Sequence, residues 1–275
     1  MRTATGIVVM VLVLGAVNLN AQKKYDLTQP QIDDIVQKFA AKETAFAKAR
    51  EAYTYRQTAR IQELDDSGNI QGRWETVSDI VFSTDGRRSE HVVRSPVPTL
   101  RNITLTPEDM EDMKSVQPFV LTTPDLPKYL IRYLGHQNVD EIGCYVFAVK
   151  PIKLEGNQRY FSGEVWVDDR DLQIVKTYGR GVGTASRKSD NQFPKFETYR
   201  EQIDGKYWFP TYTVANDTLH FKTGDQRIRQ TIRYEDYKQF GAETKITFGD
   251  VAKDDASPGQ PKAPQTAPLT APKKP

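Results

Sequence analysis

The sequence predicts a mainly β protein of the α+β class, in which one long N-terminal helix covers an antiparallel sheet of about nine to eleven strands. Only Tyr25–Glu51 combines helix-capping residues with apolar residues at helical spacing over many turns. From Tyr53 onward, apolar residues recur at every second position, the period of a strand with one buried face. Short turn-forming segments separate these runs, which is typical of antiparallel neighbours.

The first residues have the composition of an export signal. Arg2 precedes an apolar run of 12 residues, Gly6–Val17, and Leu19 and Ala21 suit the cleavage positions of a signal peptidase. An uncleaved anchor is the alternative, but the run is shorter than the roughly 20 residues needed to span a bilayer. We therefore predict a signal peptide over residues 1–21, cleavage after Ala21, and a periplasmic mature protein that is not an integral membrane protein.

Composition argues against some functions. The chain carries 38 basic and 36 acidic residues, and this balance argues against a nucleic-acid partner. The single cysteine, Cys144, lies in an apolar, strand-like run without a histidine nearby in sequence. A buried thiol that acts as a small apolar side chain is the favoured interpretation, and a reactive nucleophile is the alternative.

The predicted helix has a defined beginning and one apolar face. Thr28 and Gln31 have the spacing of a capping box, and Pro30 is tolerated in the first turn. Residues at spacings of three, four and seven form the stripe Ile32, Ile35, Val36, Phe39, Phe46 and Ala49. Because no second long amphipathic helix follows, we expect this stripe to pack on a face of the sheet.

Three strands follow as a meander. Tyr53, Tyr55, Ala59 and Ile61 share one face of the first, and Asp65–Asn69 forms the turn after it. The second strand is predicted over Ile70–Phe82 and the third over Arg87–Arg94. On the second strand, the residues expected on one face are Trp74, Ile80 and Phe82.

The strand pattern is interrupted between residues 103 and 135. Thr106 precedes Pro107 and two acidic residues, which predicts a short capped helix containing Met110 and Met113. A second short helix is predicted over Pro127–Leu134, ended by Gly135. Two such helices could cover an opening of the sheet.

The remaining chain returns to strands. They are predicted at Cys144–Lys150, in the hairpin Arg159–Gly181, and at Phe196–Gln202, Tyr207–Ala215 and Gln226–Tyr237, with Ile246 and Phe248 in a further closing strand. In the hairpin, Phe161, Val165 and Val167 are expected on the inner face and Trp166 on the outer face. We predict one domain over residues 22–250 and a disordered, proline-rich tail over residues 251–275.

No pattern of residues predicts catalysis, a metal site or a cofactor. His91, His136 and His220 are far apart and form no metal-binding motif, so a hydrolase would require the fold to bring one of them to a carboxylate and a nucleophile. By contrast, aromatic residues are abundant on the strands. One long helix cannot cover a large curved sheet completely, so we expect an apolar cavity on its inner face.

Four segments together resemble a known family. They are YTYRQTARI (residues 53–61), GEVWVDDRDLQIVK (163–176), GKYWFPTYTV (205–214) and YEDYKQF (234–240). With the export signal and the amphipathic helix, they resemble the periplasmic outer-membrane lipoprotein carriers of the LolA-like superfamily. The resemblance implies an unclosed antiparallel half-barrel whose concave apolar face, covered by lid helices over residues 106–134, takes up acyl chains.

The resemblance and the strand faces together give the expected site. The expected inward residues are Tyr55, Ile61, Trp74, Ile80, Phe82, Phe147, Phe161, Val165 and Trp208, with Met110, Met113 and Leu130 on the lid. The predicted function is non-catalytic carriage of lipid or lipoprotein acyl chains. The alternative is an envelope sensor or scaffold that binds a protein segment with the same half-barrel. The expected partners are therefore a lipid or acylated lipoprotein, or an envelope protein.

Overall fold

The protein is described by a computed structural model over residues 26–83, 85–184 and 192–240. Helix α1 spans Gln29–Arg50. The strands are β1 (Tyr53–Leu64), β2 (Ile70–Phe82), β3 (Arg88–Arg94), β4 (Tyr129–Val139), β5 (Ile142–Pro151), β6 (Tyr160–Asp168), β7 (Ile174–Val182), β8 (Phe196–Ile203), β9 (Tyr207–Phe221) and β10 (Gly224–Gln239). Between β3 and β4 lie α2 (Pro107–Glu111), a π-helical turn (Asp112–Val116) and a 3₁₀ helix (Thr123–Lys128).

All ten strands form one antiparallel sheet in the order β3-β2-β1-β10-β9-β8-β7-β6-β5-β4. The last strand is inserted beside the first, so that Ala59 pairs with Ile232 in the middle of the sheet. Within the described residues, β3 and β4 each pair with a single strand and remain the two edges. The sheet is therefore unclosed, and the predicted mainly β half-barrel class is confirmed.

Helix α1 begins and packs as its sequence predicts. The Thr28 backbone N–H and hydroxyl both donate to Gln31 Oε1, at 2.9 Å each. Phe39 and Phe46 are fully buried on the inner, concave face of the sheet. Phe39 lies 5.5 Å from Phe147, and Phe46 lies 5.1 Å from Phe209, measured between ring centroids. The apolar stripe of α1 therefore covers a sheet face, as predicted.

The segment of residues 95–128, here called the crossover, connects the two edges of the sheet across its concave side. Thr106 caps α2, because Asp109 N–H donates to Thr106 Oγ1 at 3.2 Å and Asp109 Oδ2 accepts from Thr106 N–H at 2.7 Å. Further along, Val116, Phe119 and Leu121 enter the buried core. The first predicted lid helix is thus present, and it continues as a π-helical turn.

The second predicted lid helix, Pro127–Leu134, is wrong. Pro127 lies in the 3₁₀ helix, and β4 begins at Tyr129. Tyr129, Ile131 and Tyr133 pack against the core, whereas Leu130 and Leu134 face outward, which is the period of a strand. Gly135, the predicted helix end, lies at a register shift between β4 and β5 with a φ of 123°.

The hairpin β6–β7 has the predicted faces. Phe161, Val165 and Val167 are buried in the concave core. Trp166 lies on the opposite, convex face, where it packs with Cys144 and its Nε1–H donates to Gln137 Oε1 at 3.1 Å. Cys144 is fully buried, and this burial raises the pKa of its thiol to about 12. The prediction of an unreactive, buried cysteine is thereby supported.

Some predictions fall outside the described residues. They are the signal peptide, the domain boundary at residue 250, the strand containing Ile246 and Phe248, and the proline-rich tail. None of the helices in the described part of the chain is long and apolar enough to cross a membrane.

Candidate ligand-binding site

An apolar pocket of about 300 Å³ lies on the concave side, between the crossover and the sheet. β1 contributes Ile61, and the hairpin β9–β10 contributes Leu219, Phe221 and Ile228. The crossover supplies much of the remaining wall, and the segment before β8 closes another side. These further lining residues are Asn102, Ile103, Thr104, Leu105, Thr106, Asp109, Asp112, Met113, Gln117, Gln192, Phe193, Pro194, Phe196 and Gln230.

A buried carboxylate holds the crossover at the rim of this pocket. Glu63 is fully buried at the end of β1, and its carboxylate accepts backbone N–H groups from three successive residues. Arg101 N–H donates at 2.8 Å, Asn102 N–H at 2.7 Å and Ile103 N–H at 2.8 Å. Three such bonds satisfy a buried charge and fix the loop that carries Ile103 into the pocket wall.

Gly72, on β2, leaves room for this arrangement. A Cβ atom at position 72 would lie 2.5 Å from Glu63 Oε2 and 2.6 Å from the Thr99 carbonyl oxygen. Both distances are shorter than any normal contact, and the Thr99 oxygen belongs to the backbone. Only glycine therefore allows the crossover to lie this close to β2.

A buried ion pair, here called the latch, holds the π-helical turn against the start of β6. Arg159 Nε donates to Asp112 Oδ1 at 2.7 Å, and Arg159 Nη2 donates to Asp112 Oδ2 at 2.5 Å. The guanidinium also lies 3.8 Å from the ring centroid of Phe193, a wall residue. Burial raises the pKa of Asp112 to about 6, although Arg159 acts in the opposite direction. A Cβ atom at Gly181 would clash with the Asp112 carboxylate, so the latch depends on glycine there.

The polar groups below the crossover are connected to one another. Gln117 Nε2 donates to Gln230 Oε1 at 3.1 Å, and Thr198 Oγ1 donates to the Gln117 carbonyl oxygen at 2.8 Å. The Thr198 and Thr213 hydroxyls are 2.8 Å apart, and the Thr213 hydroxyl lies 3.2 Å from that of Tyr234. Because these buried groups satisfy each other, they do not require a polar ligand.

The structure brings together only part of the predicted site. Ile61 and Met113 line the pocket. Tyr55, Trp74, Ile80 and Phe82 form a neighbouring apolar cluster that also includes Met113. Phe147, Phe161 and Val165 are at most 1% exposed, in the core under α1. These last three positions face inward as predicted, but the protein's own side chains cover them.

Two predicted site residues face away from the concave side. Leu130 is 64% exposed because it belongs to the outer face of β4, and not to a lid helix. Trp208 packs on the convex face with the cluster of Cys144 and Trp166. Its neighbours Tyr207 and Phe209 both contact Phe46 of α1, so the alternation of the strand turns Trp208 outward. Met110 remains on α2 but is 43% exposed.

Sequence reasoning missed much of the pocket wall. Ile103, Leu105 and Phe193 lie in irregular segments whose position depends on contacts far away in the chain. Leu219 lies on β9 beyond its predicted end at Ala215, whereas Ile228 lies within the predicted last strand but was not assigned to the site. The sequence did contain one usable signal, the alternation of Gln226, Ile228, Gln230 and Ile232 along β10.

The lining of the pocket suits binding of an apolar group. His136 Nε2 lies 3.0 Å from Asp169 Oδ2, and His220 Nδ1 lies 2.8 Å from Asp225 Oδ1. Neither histidine lines the apolar pocket. Among the residues that the structure describes, no group of three or more His, Cys, Asp or Glu side chains could hold a metal ion.

No family model and no curated protein matches the chain. Among solved structures, it is similar to the LolA superfamily protein NE2245 from Nitrosomonas europaea, with 13% identity over 74% of this chain and 94% of that chain and a TM-score of 0.36. A DUF1329 family protein from Desulfovibrio piger is 13% identical over 76% of this chain and 95% of that chain, with a TM-score of 0.35. A domain from Vibrio parahaemolyticus named for outer membrane lipoprotein sorting is 12% identical over 74% of this chain and 93% of that chain, with a TM-score of 0.35. The similarity to these three structures concerns the fold alone.

Proposed function

We propose that this protein is a periplasmic, non-catalytic carrier that binds an acyl chain of a lipid or lipoprotein in the pocket beneath the crossover. The observation that carries the proposal is the unfilled, mainly apolar volume of about 300 Å³ between Ile61, Met113, Leu219 and Ile228. An apolar chain would remove these side chains from water without leaving a buried polar group unsatisfied.

The size of the pocket limits the cargo. Its volume is at the lower end of the range for small-molecule sites. If a methylene takes about as much room as a water molecule, roughly 30 Å³, about ten methylenes fit. At about 0.8 kcal/mol each, their burial gives about 8 kcal/mol before ordering costs, which corresponds to roughly micromolar affinity. One chain would thus be held reversibly.

A cargo with several acyl chains would require the crossover to move. Leu121 and Phe119 of the crossover occupy the concave face under α1, where Phe119 stacks on Phe161 at 4.4 Å between ring centroids. Displacing them would expose the apolar core and break the latch between Asp112 and Arg159. The closed structure therefore supports carriage of a single chain.

The test compares two leucine-to-tryptophan variants. Leu219→Trp places a large side chain in the pocket wall, whereas Leu130→Trp makes the same change at an exposed position on β4. With mature protein (residues 22–275) and a fluorescent ten-carbon acyl probe, we expect Leu219→Trp to weaken binding at least tenfold. Leu130→Trp should bind like the wild type, and native mass spectrometry should detect a co-purified lipid in the wild type.

Other outcomes would contradict the carrier. Equal probe affinity in Leu219→Trp and the wild type would place the binding site elsewhere. Recovery of one stoichiometric envelope protein and no lipid would favour the sensor or scaffold, which binds a protein segment. The proposed location is tested by fractionation of cells expressing the full chain, with Gln22 expected as the N-terminal residue of periplasmic protein.

A further inference from the structure

The convex face of the sheet carries a group of arginines that the pocket does not use. On β10, Ile228, Gln230, Ile232 and Tyr234 are buried on the concave side, so Arg229 and Arg233, which alternate with them and are exposed, lie on the convex side. Neighbouring strands add arginines to the same face. The group, here called the arginine patch, consists of Arg60, Arg73, Arg94, Arg229 and Arg233.

Strand register places these residues close together. Arg60 on β1 pairs with Thr231 on β10, so Arg229 and Arg233 are its diagonal neighbours at about 7–8 Å between Cα atoms. Gln62 pairs with Arg229 on one side and with Arg73 on the other. The patch therefore spans four adjacent strands, β3, β2, β1 and β10, a width of about 14 Å.

The positive charge of the patch is only partly neutralised. Glu75 is buried on the same face, and it forms ion pairs with Arg60, at 2.6 Å, and with Arg94. Arg229 Nε donates to the uncharged Asn216 at 3.2 Å. Within residues 26–83, 85–184 and 192–240, the Arg73 and Arg233 side chains form no hydrogen bond or ion pair. Arg73, Arg229 and Arg233 therefore have no carboxylate partner, and the exposed Glu235, two residues beyond Arg233 on β10, pairs in register with Arg56.

The rest of the convex face, over the described residues, lacks such an excess. On β4, β5 and β7, Arg132, Lys150 and Arg180 lie around Glu164 in the strand register. The whole chain has a formal net charge of only +2. Further along the convex face, Lys176 lies 3.4 Å from Glu197, and the Arg56 side chain pairs with Asp79 at 2.9 Å. Basic composition therefore does not explain the patch, and an anionic partner would supply the missing counter-charge.

We propose that the arginine patch docks the protein on an anionic lipid membrane through the lipid phosphates. Guanidinium groups bind phosphate in a bidentate manner, and a broad, flat array of them suits a surface of many phosphates. The patch lies mainly on the inner strands β1, β2 and β10, whose backbone groups already pair within the sheet, so a peptide could not add as a strand. The residues between the arginines include Thr58, Gln62 and Thr231, which do not form an apolar groove for a peptide anchor.

The experiment measures co-sedimentation of mature protein with vesicles. At low salt, we expect the three arginines without a counter-charge to favour anionic vesicles. Binding to vesicles of equal phosphatidylglycerol and phosphatidylcholine should be roughly 100-fold stronger than binding to phosphatidylcholine alone. Added salt should abolish the difference. The triple variant Arg73→Gln/Arg229→Gln/Arg233→Gln should bind both vesicles equally weakly, with an unchanged melting temperature.

A matched control separates the patch from net charge. Arg132→Gln/Lys150→Gln/Arg180→Gln removes the same charge from exposed positions on β4, β5 and β7, and it should keep at least half of the vesicle affinity. Equal loss in both triple variants, or retention of binding in the patch variant, would overturn the proposal. So would capture of a stoichiometric acidic protein without binding to anionic vesicles. The patch variant should retain the affinity for the acyl probe, so a failure of docking is distinguishable from a failure of carriage.

Discussion

The concave face has two parts that differ in what covers them. Under α1, the side chains of Phe39, Phe147 and Phe161 meet Leu121 of the crossover in one buried cluster. Beside this closed part, the irregular stretch around Ile103 leaves the pocket of about 300 Å³. Both parts have the same alternation of apolar residues along their strands. The continuous apolar stripe of a helix fills the space above a sheet with side chains. A loop that is held through its backbone N–H groups leaves part of that space empty.

The two parts are also fixed by different buried ion pairs. In the closed part, Glu43 of α1 accepts from Arg200 of β8 at 3.1 Å, and Arg200 also donates to the Phe119 carbonyl oxygen. In the open part, the latch of Asp112 and Arg159 holds the π-helical turn. The first pair joins helix, sheet and crossover, so its loss should affect the whole fold, whereas the second concerns the pocket cover.

The largest effect is expected from breaking the pair of the closed part. Arg200→Met leaves Glu43 buried without its partner, which should lower the free energy of unfolding by about 3–5 kcal/mol in urea denaturation. Burial already raises the pKa of Glu43, and Arg200 is the main opposing influence. The double variant Glu43→Gln/Arg200→Met should recover much of the loss. An Arg200→Met protein as stable as the exposed control Arg180→Met would refute this role.

The second effect compares one substitution in the two parts. Leu121→Ala creates a cavity in the closed part, where Leu121 is fully buried, and should cost an amount near the upper end of about 2–5 kcal/mol. Leu219→Ala enlarges an existing pocket, so fewer packing contacts are lost and the cost should be near the lower end. The denaturation midpoints of the two variants, each compared with that of the wild type, test this difference in stability loss. Equal losses would mean that the two parts are packed alike.

The smallest effect is expected in the pH dependence of stability, through the Asp112 carboxyl group of the latch. Because burial raises the pKa of Asp112 from 3.8 to about 6, the native state binds a proton more readily than the unfolded chain. This contribution to stability is complete below about pH 4 and is lost as the pH rises to about 6, a change of at most about 3 kcal/mol. Asp112→Asn should remove it. Urea denaturation at several pH values tests this, and parallel profiles for variant and wild type would contradict it.

The sequence predicted the structure correctly where the local periodicity of apolar residues determines which side chains are buried. Alternation along residues 53–61 and 161–167 correctly placed the buried faces of β1 and β6, and the capping box correctly placed the start of α1. The prediction at residues 127–134 is wrong because Pro127 and Gly135, which are typical of helix boundaries, here precede and lie within a strand, respectively. Tyr129, Ile131 and Tyr133 alternate in the period of a strand, and this signal could have prevented it.

The pocket was less predictable because it depends on long-range contacts. Glu63 fixes residues 101–103 from nearly forty positions away, and no local pattern shows this. A strand register that shifts by one residue exchanges its two faces, and β8 and β9 contain such a shift near Arg200. The predicted inward position of Trp208 was wrong in this region.

The central pairing of β1 with β10 also constrains how the chain folds. Tyr53 pairs with Gln239, so the middle of the sheet joins residues almost at opposite ends of the described chain. Such contacts have high contact order, which predicts folding over milliseconds to seconds. The hairpin β1–β2 can form early, but the other neighbour of β1 is β10, the last strand in the described part of the chain. Until β10 arrives, the first three strands cannot join the remaining six, and a chain that ends before Gly224 would present two separate sheets with unpaired edges.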